Sequence, residues 1–218
     1  GLQPAAASRR FPSYLAPAMT QLPELPLTLS RQEIRKMIRQ RRRTLTPEQQ
    51  QEMGQQAATR MMTYPPVVMA HTVAVFLSFD GELDTQPLIE QLWRAGKRVY
   101  LPVLHPFSAG NLLFLNYHPQ SELVMNRLKI HEPKLDVRDV LPLSRLDVLI
   151  TPLVAFDEYG QRLGMGGGFY DRTLQNWQHY KTQPVGYAHD CQLVEKLPVE
   201  EWDIPLPAVV TPSKVWEW

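Results

Sequence analysis

Two short apolar runs on either side of a helix-like segment constrain the fold of this chain more than any other feature. Residues 72–79 form a nearly continuous run rich in β-branched and aromatic side chains, and residues 98–104 form a second run. Between them, Pro87 follows Thr85 as at a helix start, and Gly96 is typical of a helix end. The order strand, helix, strand is that of a βαβ unit, whose two strands lie parallel in one sheet.

Further runs of the same kind extend the predicted sheet along the chain. Strands are predicted at residues 111–117, 147–151, 184–187 and 208–211, and helices over 85–95, over 122–128 and from Phe169 to His179. The pattern predicts the α/β fold class: a single doubly wound, mostly parallel sheet flanked by helices, Rossmann-like in organisation. This domain is expected to span residues 30–218, after a Pro- and Ala-rich extension over residues 1–29 that we expect to be disordered.

Two helix starts can be located near the beginning of this domain. Ser30 can cap a helix, and Glu33 three positions later completes a capping box. Thr46, Pro47 and Gln49 form a second start of the same kind. Apolar residues at helical spacing follow each start. We therefore predict two consecutive helices, the first of which carries a run of basic residues.

The composition limits the classes of partner that the protein is expected to bind. The formal net charge is +1, so the overall field favours neither nucleic acid nor membrane, and no run approaches the roughly 20 apolar residues of a membrane helix. Cys191 is the only cysteine and cannot form an internal disulfide, which suits a reducing compartment. We expect a cytoplasmic protein without nucleic-acid or membrane partners. A monomer is the expected state, although nothing in the sequence specifies assembly.

A glycine-rich segment carries the strongest functional signal. Glycines occupy positions 164, 166, 167 and 168, between a predicted strand and a predicted helix, where open α/β sheets place their ligand sites. Backbone N–H groups of such a loop, together with the positive end of the following helix, can bind phosphate. Arg162 adds a planar, permanently charged donor beside the loop. The segment therefore predicts an anion site, whereas the glycines alone would also fit a flexible turn.

Two familiar nucleotide motifs do not match this segment. A dinucleotide fingerprint needs a third glycine where Phe169 stands. A Walker loop needs a lysine, and no lysine lies between Ser144 and Tyr180. The loop must therefore belong to another kind of phosphate site.

The run from Gly160 to Asp171, Gly-Gln-Arg-Leu-Gly-Met-Gly-Gly-Gly-Phe-Tyr-Asp, resembles the signature of the 5-formyltetrahydrofolate cyclo-ligases, also called methenyltetrahydrofolate synthetases. Other pieces similar to this family follow its order: the basic stretch 31–39, the stretch 76–85, Glu132-Pro133, Asp203-Ile-Pro and residues 209–211. The resemblance covers about residues 31–211. It implies an α/β ligase that uses ATP and Mg²⁺ to phosphorylate the formyl oxygen of 5-formyltetrahydrofolate and close the ring of 5,10-methenyltetrahydrofolate.

The resemblance also implies which residues bind ATP. The family usually has a lysine where Arg31 stands, and arginine keeps the charge with a different geometry. Arg162 and Tyr170 are expected to act in catalysis. The complete set expected at the ATP site is Arg31, Arg35, Arg162, Leu163, Gly164, Met165, Gly166, Gly167, Gly168, Phe169 and Tyr170.

The folate and metal residues are implied in the same way. Glu82 matches the glutamate that holds the pterin, because a carboxylate can accept paired bonds from its 2-amino and ring N–H groups. Leu77 matches a position lining the folate site. Asp171 and Asp203 match metal positions, and a carboxylate beside phosphates suits Mg²⁺. Pro207 stands where the family usually has another acidic residue.

Alternatives remain at this point. A sugar-phosphate isomerase or a CoA-transferase relative would share the architecture and would turn over without ATP, but no catalytic glutamate or lysine for it can be located. A non-catalytic folate or nucleotide binder, with the basic helix facing RNA, is a second alternative. Arg41, Arg42 and Arg43 are expected to lie on a solvated face, and Cys191 is expected to be a free thiol.

Overall fold

The computed structural model describes residues 29–218. The predicted extension over residues 1–29 therefore lies, apart from Leu29, outside the described residues. The α-helices of this part are α1 (Arg31–Arg43), α2 (Pro47–Thr63), α3 (Pro65–Met69), α4 (Gln86–Arg94) and α5 (Phe169–Leu174). Short 3-10 helices cover Val137–Asp139, Leu143–Arg145, Trp177–His179 and Asp190–Gln192.

The strands form one large sheet and two small ones. They are β1 (Thr72–Ala74), β2 (Arg98–Leu104), β3 (Leu112–Tyr117), β4 (Leu123–Met125), β5 (His131–Pro133), β6 (Val140–Leu141), β7 (Val148–Thr151), β8 (Ala155–Asp157), β9 (Arg162–Leu163), β10 (Gln183–Tyr187), β11 (Leu193–Val194), β12 (Ala208–Val210) and β13 (Val215–Glu217). The large sheet has the order β13-β12-β10-β7-β1-β2-β3-β6. The small sheets have the orders β11-β8-β9 and β4-β5.

The centre of the large sheet is parallel and its margins are antiparallel. Strands β12, β10, β7, β1 and β2 run in one direction, and Val73 of β1 lies opposite both Val99 and Val148. Strands β13, β3 and β6 pair in the antiparallel sense. The predicted α/β class with a mostly parallel sheet is confirmed.

Helices cover the large sheet on both sides. On one side α2, α3 and α4 bury apolar side chains such as Met61 and Leu92 against Val73 and Ile150. On the other side Leu174 of α5 lies with Leu149, Phe156 and Val209 in a second cluster. Ile34 and Ile38 of α1 pack on the small sheet, where they meet Leu163 and Val194. Helix α1 is thereby joined to the segment that carries the glycine-rich loop.

Both predicted helix starts are confirmed. The Ser30 hydroxyl accepts from the Glu33 amide, and the Glu33 carboxylate accepts from the Ser30 amide. Thr46 and Gln49 form the same reciprocal pair at α2, with Pro47 in the first turn. Each pair satisfies two donors that a helix end leaves without partners.

The short helix predicted over residues 122–128 is wrong. Residues 123–125 instead pair with residues 131–133 as an antiparallel hairpin. The Asn126 side chain accepts from the Leu128 and Ile130 amides, and Lys129 adopts a φ of 60°. These local bonds close a turn that competes with helix formation.

Two other predicted elements are shorter than expected. The strand predicted over 72–79 ends at Ala74, and the following residues run extended into the large cavity described below. The helix predicted to reach His179 ends at Leu174, because Gln175 has a ψ of 125° and Asn176 a φ of 65°. The dipole behind the glycine-rich loop is therefore that of a short helix.

Within residues 29–218, no helix combines the length and the apolar character needed to cross a bilayer.

Candidate active site

A cavity of about 610 Å³ opens at the carboxyl ends of β1, β2 and β7. Phe76 and Leu77 follow β1, Leu104 ends β2, and Pro152 and Leu153 follow β7, and all of them line the cavity. Its volume lies within the range of small-molecule sites. Ligands of open parallel sheets bind at this edge, so the strand order itself places the site.

The β4–β5 hairpin closes one wall of the cavity. The wall is held by Glu132, whose Oε2 accepts from the Leu104 amide at 3.1 Å and from Asn126 Nδ2 at 3.0 Å. These bonds join the hairpin to the end of β2. The cavity residues of this hairpin are Asn126, Leu128, Ile130, His131 and Glu132.

The glycine-rich loop forms the opposite wall, between β9 and α5. Gly166 has a φ of 106° and Gly168 a φ of 71°, both in the region that side chains rarely adopt. Arg35 of α1 donates from Nε to the Gly164 carbonyl at 2.7 Å. From the far side, Arg172 Nη2 donates to the Gly167 carbonyl at 2.5 Å. The loop is held by arginines from two helices.

A buried ion pair lies beside the loop. Arg162 Nη2 donates to Asp171 Oδ1 at 3.0 Å, and the Ile204 amide donates to the same oxygen at 3.3 Å. The Arg162 side chain is only 3% exposed, and its Nε has no hydrogen-bond partner among the described residues. A buried cationic donor without a partner is costly, so this nitrogen is suited to an anionic ligand.

Glu82 also lines the cavity, in a tight turn after β1. The Phe79 amide donates to Glu82 Oε1 at 2.9 Å, and Asp80 and Gly81 adopt φ values of 51° and 78°. Burial raises the pKa of Glu82 to about 7, and the positive charge of Arg42 opposes part of this effect. The carboxyl group can therefore exist in either protonation state near neutral pH.

Tyr170, in the first turn of α5 after the loop, also lines the cavity. Burial raises the pKa of the Tyr170 phenol above its usual range, and the negative charge of Glu82 raises it further. The hydroxyl group therefore stays protonated and can donate a hydrogen bond.

Arg31 and Asp203 form a second ion pair at the cavity edge. Arg31 Nη1 donates to Asp203 Oδ2 at 2.8 Å, and Arg31 Nη2 donates to Oδ1 at 3.2 Å. The Glu200 amide also donates to Oδ2, at 2.8 Å. Arg31 lines the cavity, whereas Asp203 does not.

Comparison with known proteins identifies the family. The sequence profile of the 5-formyltetrahydrofolate cyclo-ligase family matches residues 28–212. The chain belongs to the 5-formyltetrahydrofolate cyclo-ligase family. It is accordingly an enzyme of the ligase class, and the isomerase, CoA-transferase and non-catalytic alternatives are not supported.

Individual members of the family are similar over most of their length. A 5-formyltetrahydrofolate cyclo-ligase of Haemophilus influenzae is 53% identical, over 82% of this chain and 96% of that protein. One from Mycolicibacterium smegmatis is 31% identical, over 85% of this chain and 95% of that protein. This chain therefore corresponds to nearly the whole of each relative.

Solved structures of cyclo-ligases have the same fold. The 5,10-methenyltetrahydrofolate synthetase of Aquifex aeolicus superposes with a TM-score of 0.73 at 28% identity, covering 86% of this chain and 92% of that one. The synthetase of Mycoplasma pneumoniae superposes with a TM-score of 0.66 at 20% identity, covering 84% and 99%. The second likeness shows the shared fold alone.

The structure brings most of the predicted cyclo-ligase site residues to one cavity. Leu163 is an exception, because its side chain is buried in the apolar cluster beneath α1. Asp203 is another, since it lies behind Arg31. Those that line the cavity are Arg31, Arg35, Leu77, Glu82, Arg162, Gly164, Met165, Gly166, Gly167, Gly168, Phe169, Tyr170 and Asp171.

The two predicted metal positions differ in how well they could hold Mg²⁺. Asp171 lines the cavity, and Oδ2 accepts no hydrogen bond from the described residues, so one oxygen can face a cation. Mg²⁺ commonly takes one or two carboxylates together with substrate phosphates. Both oxygens of Asp203 are engaged by Arg31, so a metal role there would require that pair to open. No cluster of three potential ligands occurs between residues 29 and 218.

Sequence reasoning missed several residues of the cyclo-ligase cavity. Trp202 is 63% exposed and lies at its edge, and Phe79 is 43% exposed beside Glu82. The hairpin wall was also missed, although Glu132-Pro133 belongs to the family resemblance. Trp202 directly precedes Asp203, and Phe79 lies three positions before Glu82. This closeness in the sequence was the signal that could have identified both aromatic residues.

The expected solvated face of α1 is wrong for Arg42. Its side chain is 5% exposed, and it lies against the turn that carries Glu82. Arg41 is half-buried and donates from Nη1 to the Cys191 carbonyl at 3.0 Å. Arg43 is exposed, as expected.

Proposed function

We propose that this cyclo-ligase uses ATP and Mg²⁺ to convert 5-formyltetrahydrofolate into 5,10-methenyltetrahydrofolate. Family membership supports the overall reaction. The observation that carries the finer assignment is that one cavity is lined both by the partly buried carboxyl group of Glu82 and by the arginine-held glycine loop. A heterocycle with adjacent N–H groups and a nucleotide phosphate can therefore meet inside it.

Glu82 is the residue suited to the pterin end. Its ionised carboxylate can accept two parallel N–H bonds, from the 2-amino group and from the adjacent ring nitrogen. The surrounding wall is apolar, with Phe76 and Leu77 beside it. The faces of a flat ring buried there lose water to the apolar wall, and its N–H edge is hydrogen-bonded to Glu82. Together these contacts favour one orientation of the ring in the cavity.

The glycine loop and two arginines are suited to the phosphate end. Gly166 and Gly168 allow loop N–H groups to face a phosphate closely. Arg35 donates to the Gly164 carbonyl of this loop, and Arg162 has a buried Nε available as a donor. When bound, Mg²⁺ at Asp171 would neutralise phosphate charge and orient the transferred group.

The proposed reaction needs positioning and charge neutralisation more than a covalent nucleophile. The terminal phosphoryl group of ATP passes to the formyl oxygen, and ADP is released. The nitrogen at position 10 attacks the formyl carbon and loses its proton. The carbon–oxygen bond then breaks, and phosphate leaves with the former formyl oxygen.

The side chains near the cavity agree with this absence of a covalent step. Tyr170 stays protonated, so it serves as a hydrogen-bond donor toward the formyl or phosphate oxygens. Cys191 is buried outside the cavity lining, and burial raises the pKa of its thiol to about 11. A thiol in that state is a poor nucleophile at neutral pH.

The direct test is an assay with defined substrates. Purified protein with Mg²⁺, ATP and 5-formyltetrahydrofolate should produce methenyl-folate absorbance together with one ADP per product. Omission of ATP or addition of a magnesium chelator should abolish the signal. Product formation at an unchanged rate without ATP would refute the proposal.

Replacement of Asp171 by asparagine should separate catalysis from folding. We expect turnover to fall by about 100-fold and the Mg²⁺ concentration for half-maximal rate to rise, because the charged metal ligand is lost. The loss of the charge opposite Arg162 should also lower the free energy of unfolding by about 1–3 kcal/mol. Asp139→Asn, which changes an exposed carboxylate, is the control and should leave both quantities near the wild type. Unchanged turnover in Asp171→Asn would contradict the metal role.

A further inference from the structure

The C-terminal half of α1 contacts the turn that carries Glu82. Asp80 of this turn accepts contacts from Arg39 Nε at 3.2 Å and from Arg43 Nη2 at 3.4 Å, with Arg42 Nη2 at 3.9 Å. Asp80 has a φ of 51°, a value that residues with side chains rarely adopt, and these contacts support it.

The next residue of the turn, Gly81, is fixed by its carbonyl oxygen. Gln50 Nε2 donates to that oxygen at 3.2 Å. His189 Nε2 lies 3.2 Å from the same oxygen. Burial lowers the pKa of His189 to about 4, so the ring is neutral and its Nε2 can donate.

Arg42 differs from the other arginines of this group in its burial. The residue is 4% exposed, and its side chain would be in ordinary contact with a methyl group added at Gly81. Its Nε has no hydrogen-bond partner among the residues that the structure describes. Arg39 and Arg43 make the shorter contacts to Asp80, and Arg42 Nη2 lies 3.9 Å from that carboxylate. A buried charge is costly unless a carboxylate compensates it, and Glu82 faces it.

We propose that Arg42 is a positioning residue, which holds the Asp80–Glu82 turn at the cavity and supplies the positive charge that faces the Glu82 carboxylate. The proposal rests on the function proposed above for Glu82. A protonated Glu82 would present one acceptor fewer to a ring with two adjacent N–H groups. Removal of Arg42 should therefore weaken folate binding at neutral pH and leave the nucleotide end unaffected.

The charged and titratable groups around Glu82 define what a pH experiment will report. Arg42 faces it from α1, Asp80 from its own turn, and Tyr170 from α5. Arg162 faces Tyr170 and His189 faces Arg42. Between pH 6 and 9, Tyr170 stays protonated and His189 stays neutral, so Glu82 is the group of this set whose charge changes.

The decisive variant is Arg42→Gln, which removes the charge and keeps a polar side chain. Loss of Arg42 should move the Glu82 midpoint upward by about one pH unit, so KM for 5-formyltetrahydrofolate at pH 7 should rise by about fivefold. The difference from the wild type should shrink at pH 9, and KM for ATP should stay within about twofold. A merely structural role would raise KM equally at every pH.

Matched variants separate charge from support of the turn. Arg43→Gln removes an exposed positive charge of α1 that contacts the same turn, and it should leave the pH profile unchanged. Arg42→Lys keeps a charge at the buried site and should restore most of the wild-type profile. In Glu82→Gln, the additional Arg42→Gln change should no longer alter the pH dependence of the folate KM.

A ¹³C NMR titration of the Glu82 carboxyl group provides a readout independent of turnover, with Glu82→Gln for assignment. In the wild type we expect a midpoint near 7 and in Arg42→Gln a higher one. An unchanged midpoint in folded Arg42→Gln would overturn the proposal. If that variant does not fold, a wild-type Glu82 that stays protonated up to pH 8 would overturn it equally. Wild-type protein that makes no product would instead refute the function proposed above and leave the NMR result to decide the role of Arg42.

Discussion

Glu82 combines two properties that bear on ligand binding. It lines a ligand cavity, and burial raises its pKa to about 7. Because an ionised carboxylate loses hydration there, the free protein holds it at a cost that bound N–H groups can offset. Carboxyl groups with strongly raised pKa values occur preferentially at functional sites. The residue type was recognisable in the sequence, whereas its protonation behaviour required the cavity.

Glu82→Gln should reveal this cost, because removal of the ionisable group should raise the free energy of unfolding by an amount that depends on pH. A raised carboxyl pKa means that the folded protein binds more protons than the unfolded chain between about pH 4.5 and 7, so stability falls as pH rises through this window. The neutral amide of the glutamine side chain does not cause this loss of stability. At pH 8 the variant should be more stable by about 1–3 kcal/mol, and at pH 4.5 the difference should be close to zero.

Urea unfolding of the wild type and the variant at both pH values measures this difference. Glu90→Gln on the exposed side of α4 serves as the control, because its carboxylate lies in solvent. An equal gain at pH 4.5 and pH 8 would contradict a buried carboxylate as its cause.

Single-residue reasoning brought Arg162 and Asp171 to the cavity, because the chemistry of their side chains is tied to a motif, and their roles there stay predictions. It failed for Arg42, which looked like one of several basic residues on a helix. It also assigned Arg31 to ATP and Asp203 to a metal ion, although the two side chains bind each other in the structure. Burial and pairing of these arginines depend on residues far away in the chain, which the local pattern does not contain.

At the level of elements, α1 connects the two ends of the cavity. Its first half places Arg35 on the Gly164 carbonyl, and its second half places Arg42 beside Gly81. The capping box at Ser30 fixes where this helix begins, and the apolar contacts of Ile34 and Ile38 fix its rotation. One helix therefore sets the positions of the phosphate loop and of the pterin turn together.

The glycine-rich loop offers a test of whether its backbone conformation serves nucleotide binding. Gly168→Ala places a side chain at a φ of 71° and should lower the free energy of unfolding by about 1–2 kcal/mol. We also expect KM for ATP to rise by about tenfold, because the loop N–H groups would shift away from the phosphates. Steady-state kinetics and urea unfolding measure the two effects.

Gly96→Ala is the matched control for this experiment. Gly96 has a φ of 78°, an added methyl group would meet nothing within 4 Å, and the position lies outside the cavity lining. The control should show a similar loss of stability with a normal KM for ATP. Equal changes in KM for both variants would mean that the loop conformation has no special role in binding.

The elements were predictable to different degrees for a physical reason. The capping boxes and the βαβ unit involve contacts within a few residues or a clear periodicity, and both were confirmed. The first strand of the hairpin at residues 123–133 was predicted as part of a helix, because its short apolar pattern fits a helix or a strand. The strand forms because residues 131–133 are available to pair with it. The length of α5 was overestimated, because the left-handed conformation of Asn176 is not encoded by periodicity.

For the whole molecule, the cavity-lining residues within the described range 29–218 run from Arg31 to Trp202. Deletion of residues 1–28 should therefore leave kcat and both KM values within about twofold of the intact chain, in keeping with a domain that spans residues 30–218. Deletion of residues 1–35 removes Arg31 and Arg35 and should abolish ATP binding. Steady-state assays of the two truncated chains check this domain boundary. Loss of activity after the shorter deletion would place part of the functional unit before residue 29.

Two kinds of information thus specify this cyclo-ligase. Local sequence was sufficient for the α/β class, the helix starts and the glycine-rich loop, since these depend on spacing and on neighbours three or four residues apart. The cavity required the packed chain, because Arg31 meets Asp203 across 172 positions and Arg35 meets Gly164 across 129. Contacts at such separations arise only when the sheet and α1 pack together, and they also settle which arginines are buried and which carboxyl group changes its pKa.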